Sequence, residues 1–178
     1  MNMDERYPIG NFEFEGDISD QQREAWIQDI EGLPGQLKAA VHGLSDEQLN
    51  IPYRQGGWTS RQVVHHIADS HMNSYIRFKL ALTEEVPTIR PYYEDRWAEL
   101  HDSTADIEIS LALIEALHTR WGILLRSMSA QDYKRTFHHP ESGKTTPLEY
   151  NLGVYSWHGK HHVVHITELR NKLNIAEG

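Results

Sequence analysis

Histidine is the residue type in this chain whose number and spacing could do chemistry. Of 178 residues, 12 are histidine and none is cysteine. His65, His66 and His71 fall in one short window, and His158, His161, His162 and His165 in another. Neutral imidazole is a common ligand for divalent transition metals. Residues four apart on a helix lie one turn apart on the same face. His158 and His162 have that spacing, and so do His161 and His165, so either pair could offer two imidazoles to one ion. The lack of cysteine removes thiolate zinc sites, disulfides and cysteine nucleophiles from consideration.

The apolar stripes select among these histidines. Leu148, Leu152, Tyr155, His158, His162, Ile166, Leu169 and Leu173 advance by threes and fours, so the first pair lies on an apolar helix face. His161 and His165 share a face with Val154 and Glu168, a poorer core stripe. A third ligand must come from another helix. His65 and His66 are adjacent and point about 100° apart, so only one can face the centre. His66 has Val63 and Ser70 at helical spacing, whereas His65 has Arg61, Gln62 and Asp69 and is expected to face outward. The expected ligand set is therefore His66, His158 and His162.

Three imidazoles leave a divalent ion with an open position, whereas a structural zinc site is closed by four protein ligands. Such an ion can lower the pKa of water to about 7 or polarise a carbonyl. It can equally hold a thiol as thiolate. Three readings follow: a metal-dependent hydrolase, a metal-dependent thiol S-transferase, or a metal-binding module without turnover. Asp69, His65, Tyr155 and Glu149 are near enough to be considered as acid or base, and none is singled out. Trp58 is expected to pack in the core, Arg77 and Arg90 could meet an anionic substrate, and His71 and Asn73 could border the site. Because free histidine has a pKa of about 6.5, metal affinity is expected to fall steeply below that pH.

Positioning these side chains requires long helices. Ser19 with Gln22, and Thr59 with Gln62, have the spacing of capping boxes. After Ser19 the stripe Trp26, Ile30, Leu33, Leu37, Val41, Leu44 predicts a first helix, kinked at Pro34-Gly35. Ser45–Leu49 reads as a further helical turn. A second long helix follows Thr59 and stops before Pro87. Residues 87–106 form a connection with a short helix near Tyr93–Leu100. A third helix follows Asp106, with Leu113, Ile114, Leu117, Trp121, Leu124, Leu125 and Met128 as its stripe. Residues 135–145 read as an irregular loop or small hairpin. Thr146-Pro147-Leu148-Glu149 predicts the start of a fourth helix running to about Leu173, with threonine as cap. The sum is an all-α four-helix bundle forming one domain over residues 1–178.

Gly56-Gly57-Trp58-Thr59, with His66 eight residues after the tryptophan, then His158-Gly159-Lys160-His161-His162, resembles the DinB-like superfamily. Val63-Val64-His65-His66-Ile67-Ala68-Asp69-Ser70-His71-Met72-Asn73 is similar to its YfiT branch, and Tyr7-Pro8-Ile9-Gly10 adds to the likeness. The family is described as metal-dependent hydrolases, with relatives that transfer low-molecular-weight thiols such as bacillithiol. The resemblance implies a four-helix bundle, a homodimer, a cytoplasmic location and one zinc or nickel ion per subunit. Its ligand positions fall on His66, His158 and His162.

Bulk composition narrows the partners. Seventeen basic against 26 acidic residues give a formal charge of −9, which repels phosphate backbones, so nucleic acid is not expected. No apolar run approaches the roughly 18 residues that suggest a membrane span. The segment Met1–Arg6 has no apolar stretch of the signal-peptide kind, so a cytoplasmic protein acting on a small molecule is expected. A Gly-x-Ser-x-Gly nucleophile turn is also missing from the sequence.

Overall fold

The computed structural model describes residues 4–174, so Met1–Met3 of the polar N-terminal segment lie outside the described residues. Four long helices carry the fold: α1 (Asp20–Val41), α3 (Ser60–Thr83), α5 (Ile107–Ser127) and α7 (Leu148–Lys172). Between them lie the single-turn helices α2 (Asp46–Leu49), α4 (Glu94–Trp97) and α6 (Ala130–Tyr133), a 3₁₀ turn at His101–Thr104, and a hairpin of β1 (Thr136–His139) and β2 (Lys144–Pro147).

The helix starts follow local chemistry. Ser19 Oγ accepts from Gln22 N–H at 3.1 Å at the head of α1. At α3, Thr59 Oγ1 accepts from Gln62 N–H and Gln62 Oε1 accepts from Thr59 N–H, a complete capping box. Asp106 caps α5. At α7 the expectation fails. Pro147 occupies the cap position without a side-chain bond, because Thr146 pairs with Phe137 in the hairpin and belongs to β2. Glu149 does not close a box but accepts from Arg23 Nη2 at 3.3 Å. The turn between the strands is closed by Gly143 at φ +67°, a left-handed backbone that glycine adopts without steric penalty.

Each long helix then buries one stripe. Along α1, Trp26, Ile30, Leu33, Leu37 and Val41 are all buried, as their spacing predicts. The helix continues through Pro34 as one element. Along α5 the buried stripe is Ile107, Leu111, Ile114, His118, Trp121 and Leu125, while Leu113 is 43 % exposed. Leu113 neighbours Ile114 in sequence and so points about 100° away from it. Leu173 follows the last turn of α7 and is likewise exposed. Full burial of large side chains such as Trp121, Phe78 and Ile114 contributes roughly 1.5–3 kcal/mol each.

The long helices pack in an order different from their order in the chain. Helix α1 lies against α5 and α7, and α3 also lies against α5 and α7. Of the consecutive long helices only α3 and α5 pack together, while α1 and α3, and α5 and α7, face each other across the bundle diagonals, unlike a simple up-down bundle. This order makes α3 and α7 neighbours. Helices α1 and α7 approach closely at Gly153, where an added Cβ would meet Phe12 at 2.7 Å and Trp26 at 2.8 Å. Among the described residues, no helix is long and apolar enough to cross a membrane.

Candidate metal centre

Because α3 and α7 are neighbours, His66 from the first meets His158 and His162 from the second. His66 Nε2 and His158 Nε2 lie 3.1 Å apart. One ligand nitrogen from each of the three lies within 4.8 Å of the others. In a tetrahedral zinc site with Zn–N of 2.0–2.1 Å, neighbouring nitrogens are about 3.3 Å apart. The pair is thus already near the spacing that one ion would impose. His162 Nδ1 sits 3.3 Å from His165 Nδ1, so Nε2 is its nitrogen available to an ion.

Burial governs the charge of this cluster. It lowers the His66 pKa to about 4, with neighbouring His161 adding to the effect. Burial also holds His158 and His162 well below the ordinary histidine value, reinforced in each case by the other histidines of the cluster. All three rings are neutral at pH 7 and keep a lone pair for a cation. The donor set, its spacing and its charge state all fit a divalent metal.

The other histidines of the two windows are not where the stripes place them. His65 is buried, not outward: Nδ1 contacts Ser110 Oγ at 2.7 Å and Nε2 contacts the Ala105 carbonyl at 3.1 Å. Its neighbour Arg61 is drawn inward as well, bonding to Asn50, Asp46 and the same carbonyl. His161 and His165 are buried too, stacked under Trp157 at 4.6 Å and Tyr53 at 3.9 Å between ring centroids. His161, His162 and His165 form a second group with nitrogens within 4.8 Å. This group draws on one helix, and its adjacent members 161 and 162 diverge by about 100°. His66, His158 and His162 come from two helices and converge.

A cavity of about 380 Å³ opens over the first group, lined by the three histidines, the rings of Tyr53, Trp58 and Trp157, and the charges of Arg54, Glu94 and Asp95. Trp58 is half-buried and does both: it packs against the core, as expected, and walls the cavity, its ring 4.5 Å from that of His66. None of the sequence candidates for acid or base lines this cavity. Asp69, whose carboxyl is raised to about 6 by burial and by Asp102, lies outside it. Tyr155 is buried, its hydroxyl accepting from Ser70 Oγ at 3.3 Å. Glu149 is paired with Arg23. Arg77 and Arg90 are not among its lining residues either, and Asn73 donates to the Asp69 carbonyl.

The carboxylates that do line the cavity, Glu94 and Asp95, were not singled out in the sequence. They sit on α4, inside the long connection, with no periodicity tying them to either histidine window. Glu94 is pushed up by burial and then by Asp95. His71, read from sequence as bordering the site, is fully buried with its ring 5.2 Å from that of His158. His118 was missed, although a histidine within the Ile114–Trp121 stripe was a visible signal.

Comparison with known proteins agrees with this architecture. The DinB superfamily profile matches residues 29–166. A Bacillus cereus (strain ATCC 10987 / NRS 248) protein, provisionally named a metal-dependent hydrolase, is 55 % identical over 171 residues, covering 96 % of this chain and 98 % of the relative. A Bacillus anthracis (strain A0248) protein of the same name is 54 % identical over the same length. Among solved structures, YfiT from Bacillus subtilis superposes with a TM-score of 0.94 at 54 % identity, covering 97 % of this chain and 99 % of that one. It is described as a probable metal-dependent hydrolase with an unusual four-helix bundle topology. The chain therefore belongs to the DinB superfamily, in its YfiT-like branch.

Proposed function

We propose that the protein is a metal-dependent hydrolase in which His66, His158 and His162 hold one divalent ion, zinc or nickel, facing a small-molecule substrate. The observation that carries this reading is the approach of two neutral Nε2 atoms to 3.1 Å under a cavity of about 380 Å³. An ion held there would act as a Lewis acid on a carbonyl, or on the acidity of water or of a thiol. The chain's own residues do the rest. Trp58 and Trp157 narrow the cavity and limit water. Arg54 supplies a positive charge for an anionic substrate group, and Glu94 and Asp95 are the carboxylates placed to take or return a proton. The homodimer implied by the resemblance belongs to the same proposal and is checked by light scattering.

The test is elemental analysis of untagged protein, followed by turnover assays on a panel of small esters, amides and alkylating electrophiles. Each assay is run with and without a low-molecular-weight thiol, before and after chelation. One ion per chain and chelator-sensitive hydrolysis without thiol is the expected result. Turnover only with thiol, the thiol appearing in the product, would replace hydrolysis with S-transfer. A loaded protein that turns over nothing would be a binding module, and protein with no stoichiometric metal would refute the proposal.

A further inference from the structure

A line of three imidazoles runs from the candidate metal centre through the bundle. His158 Nδ1 lies 3.0 Å from His71 Nε2. His71 Nδ1 lies 3.0 Å from His118 Nε2. His118 Nδ1 lies 2.5 Å from the carbonyl oxygen of Ile30. The line takes one residue from each long helix, α7, α3, α5 and α1 in turn.

Elementary hydrogen-bond bookkeeping orders the protons along it. A carbonyl oxygen can only accept, so His118 carries its proton on Nδ1. His71 and His118 are buried and His158 is half-buried, and with one proton in each of the three contacts and a lone pair kept for an ion on His158 Nε2, all three rings are neutral. A neutral imidazole has one donor and one acceptor, so His118 Nε2 accepts, and the proton between it and His71 belongs to His71 Nδ1. The same step along the line gives His71 Nε2 as acceptor and His158 Nδ1 as donor. What remains on His158 is the Nε2 lone pair, 3.1 Å from His66 Nε2. The far end of the line has its own cause in sequence. Residue 34 is proline and has no N–H, so the Ile30 carbonyl lacks its helical partner inside α1 and is free for His118.

We propose that His71 and His118 are positioning residues that lock His158 as its Nδ1–H tautomer and aim its Nε2 lone pair at the ion, with Pro34 freeing the carbonyl that anchors the line. The proposal rests on the reading of His158 as a metal ligand. Histidine ligands in general donate their second nitrogen to an oriented acceptor, and loss of that acceptor costs about 10–100-fold in metal affinity. Here the acceptor is another histidine, itself oriented by a third.

Two measurements test it. In metal-free protein labelled with ¹⁵N-histidine, two-bond ¹H–¹⁵N correlation spectra at pH 7.5 should show His71, His118 and His158 all protonated on Nδ1. An Nε2-protonated His71 or His158 would overturn the line, whatever the metal does. Zinc titration then compares His71→Leu, which removes the acceptor, with His71→Gln, whose amide oxygen can replace it. His71→Leu should still bind one ion but about 10–100-fold more weakly, and His71→Gln should recover most of the loss. A folded His71→Leu with wild-type affinity would overturn the proposal, and if that variant does not fold the tautomer spectra alone decide it. Wild-type protein that binds no zinc would instead sink the metal reading, since the tautomers are read without metal.

Discussion

Lowering the pH from 7.5 to 5.5 should leave the zinc affinity of the folded protein almost unchanged. Three solvent-exposed histidines of pKa about 6.5 would each be about ten-to-one protonated at pH 5.5, and competition at all three would cost about 10³-fold in affinity. The structure changes that expectation. Burial lowers His66 to about 4 and holds His158 and His162 well below the ordinary value, so protons barely compete at pH 5.5. The predicted loss is less than about threefold. What acid removes is the fold. His66 and His118 both titrate at about 4 in the folded chain against 6.5 when unfolded. The unfolded state therefore takes up protons first as pH falls. The stability contributed by neutral burial is full above 6.5 and is lost as pH drops toward 4. Each residue loses about 1.4 kcal/mol by pH 5.5 and about 3 kcal/mol by pH 4. Two such losses total about 6 kcal/mol, comparable to the whole stability of a typical domain. The assay is competition for zinc against a chromophoric chelator calibrated at each pH, with circular dichroism of the same samples to score the folded fraction. A hundredfold or greater drop in affinity at pH 5.5 with an unchanged spectrum would refute the reasoning. Melting curves of loaded and metal-free protein should correspondingly stay separated at pH 5.5.

His66→Ala, His158→Ala and His162→Ala should each lose stoichiometric metal by elemental analysis, whereas His161→Ala and His165→Ala should keep it while melting at lower temperature, because both are buried and stacked. Retention of metal by the first three would reject the ligand set. Gly153→Ala should destabilise the fold by about 1–3 kcal/mol in urea titration, since its Cβ would overlap Phe12 and Trp26. Its metal content should not change. Thr59→Ala removes both the hydroxyl acceptor at the head of α3 and its share of the capping box, at about 1 kcal/mol in the same titration.

The sequence by itself determined the parts of this protein that depend on near neighbours. Thr59 and Gln62 sit three residues apart, so the capping box and the start of α3 were legible. The buried stripe of α1 from Trp26 to Val41 and the shared face of His158 and His162 follow from helical period alone. Only the tertiary structure decided which stripes meet. Period defines a face of a helix but not the neighbour it faces, and the ring order that sets α3 beside α7 brings His66 to the pair on α7. It likewise lets His118 on α5 reach both His71 and the carbonyl that Pro34 frees on α1. Residues judged outward by their polar neighbours were buried by distant segments: His165 under Tyr53, and His65 against Ser110 and the Ala105 carbonyl. Thr146 could cap a helix or pair in a strand with equal local chemistry. Its partner Phe137, nine positions away, settled the choice by closing a hairpin. Local spacing thus specified elements and faces, while burial, charge state and the donors of each imidazole were set by chain segments remote in sequence.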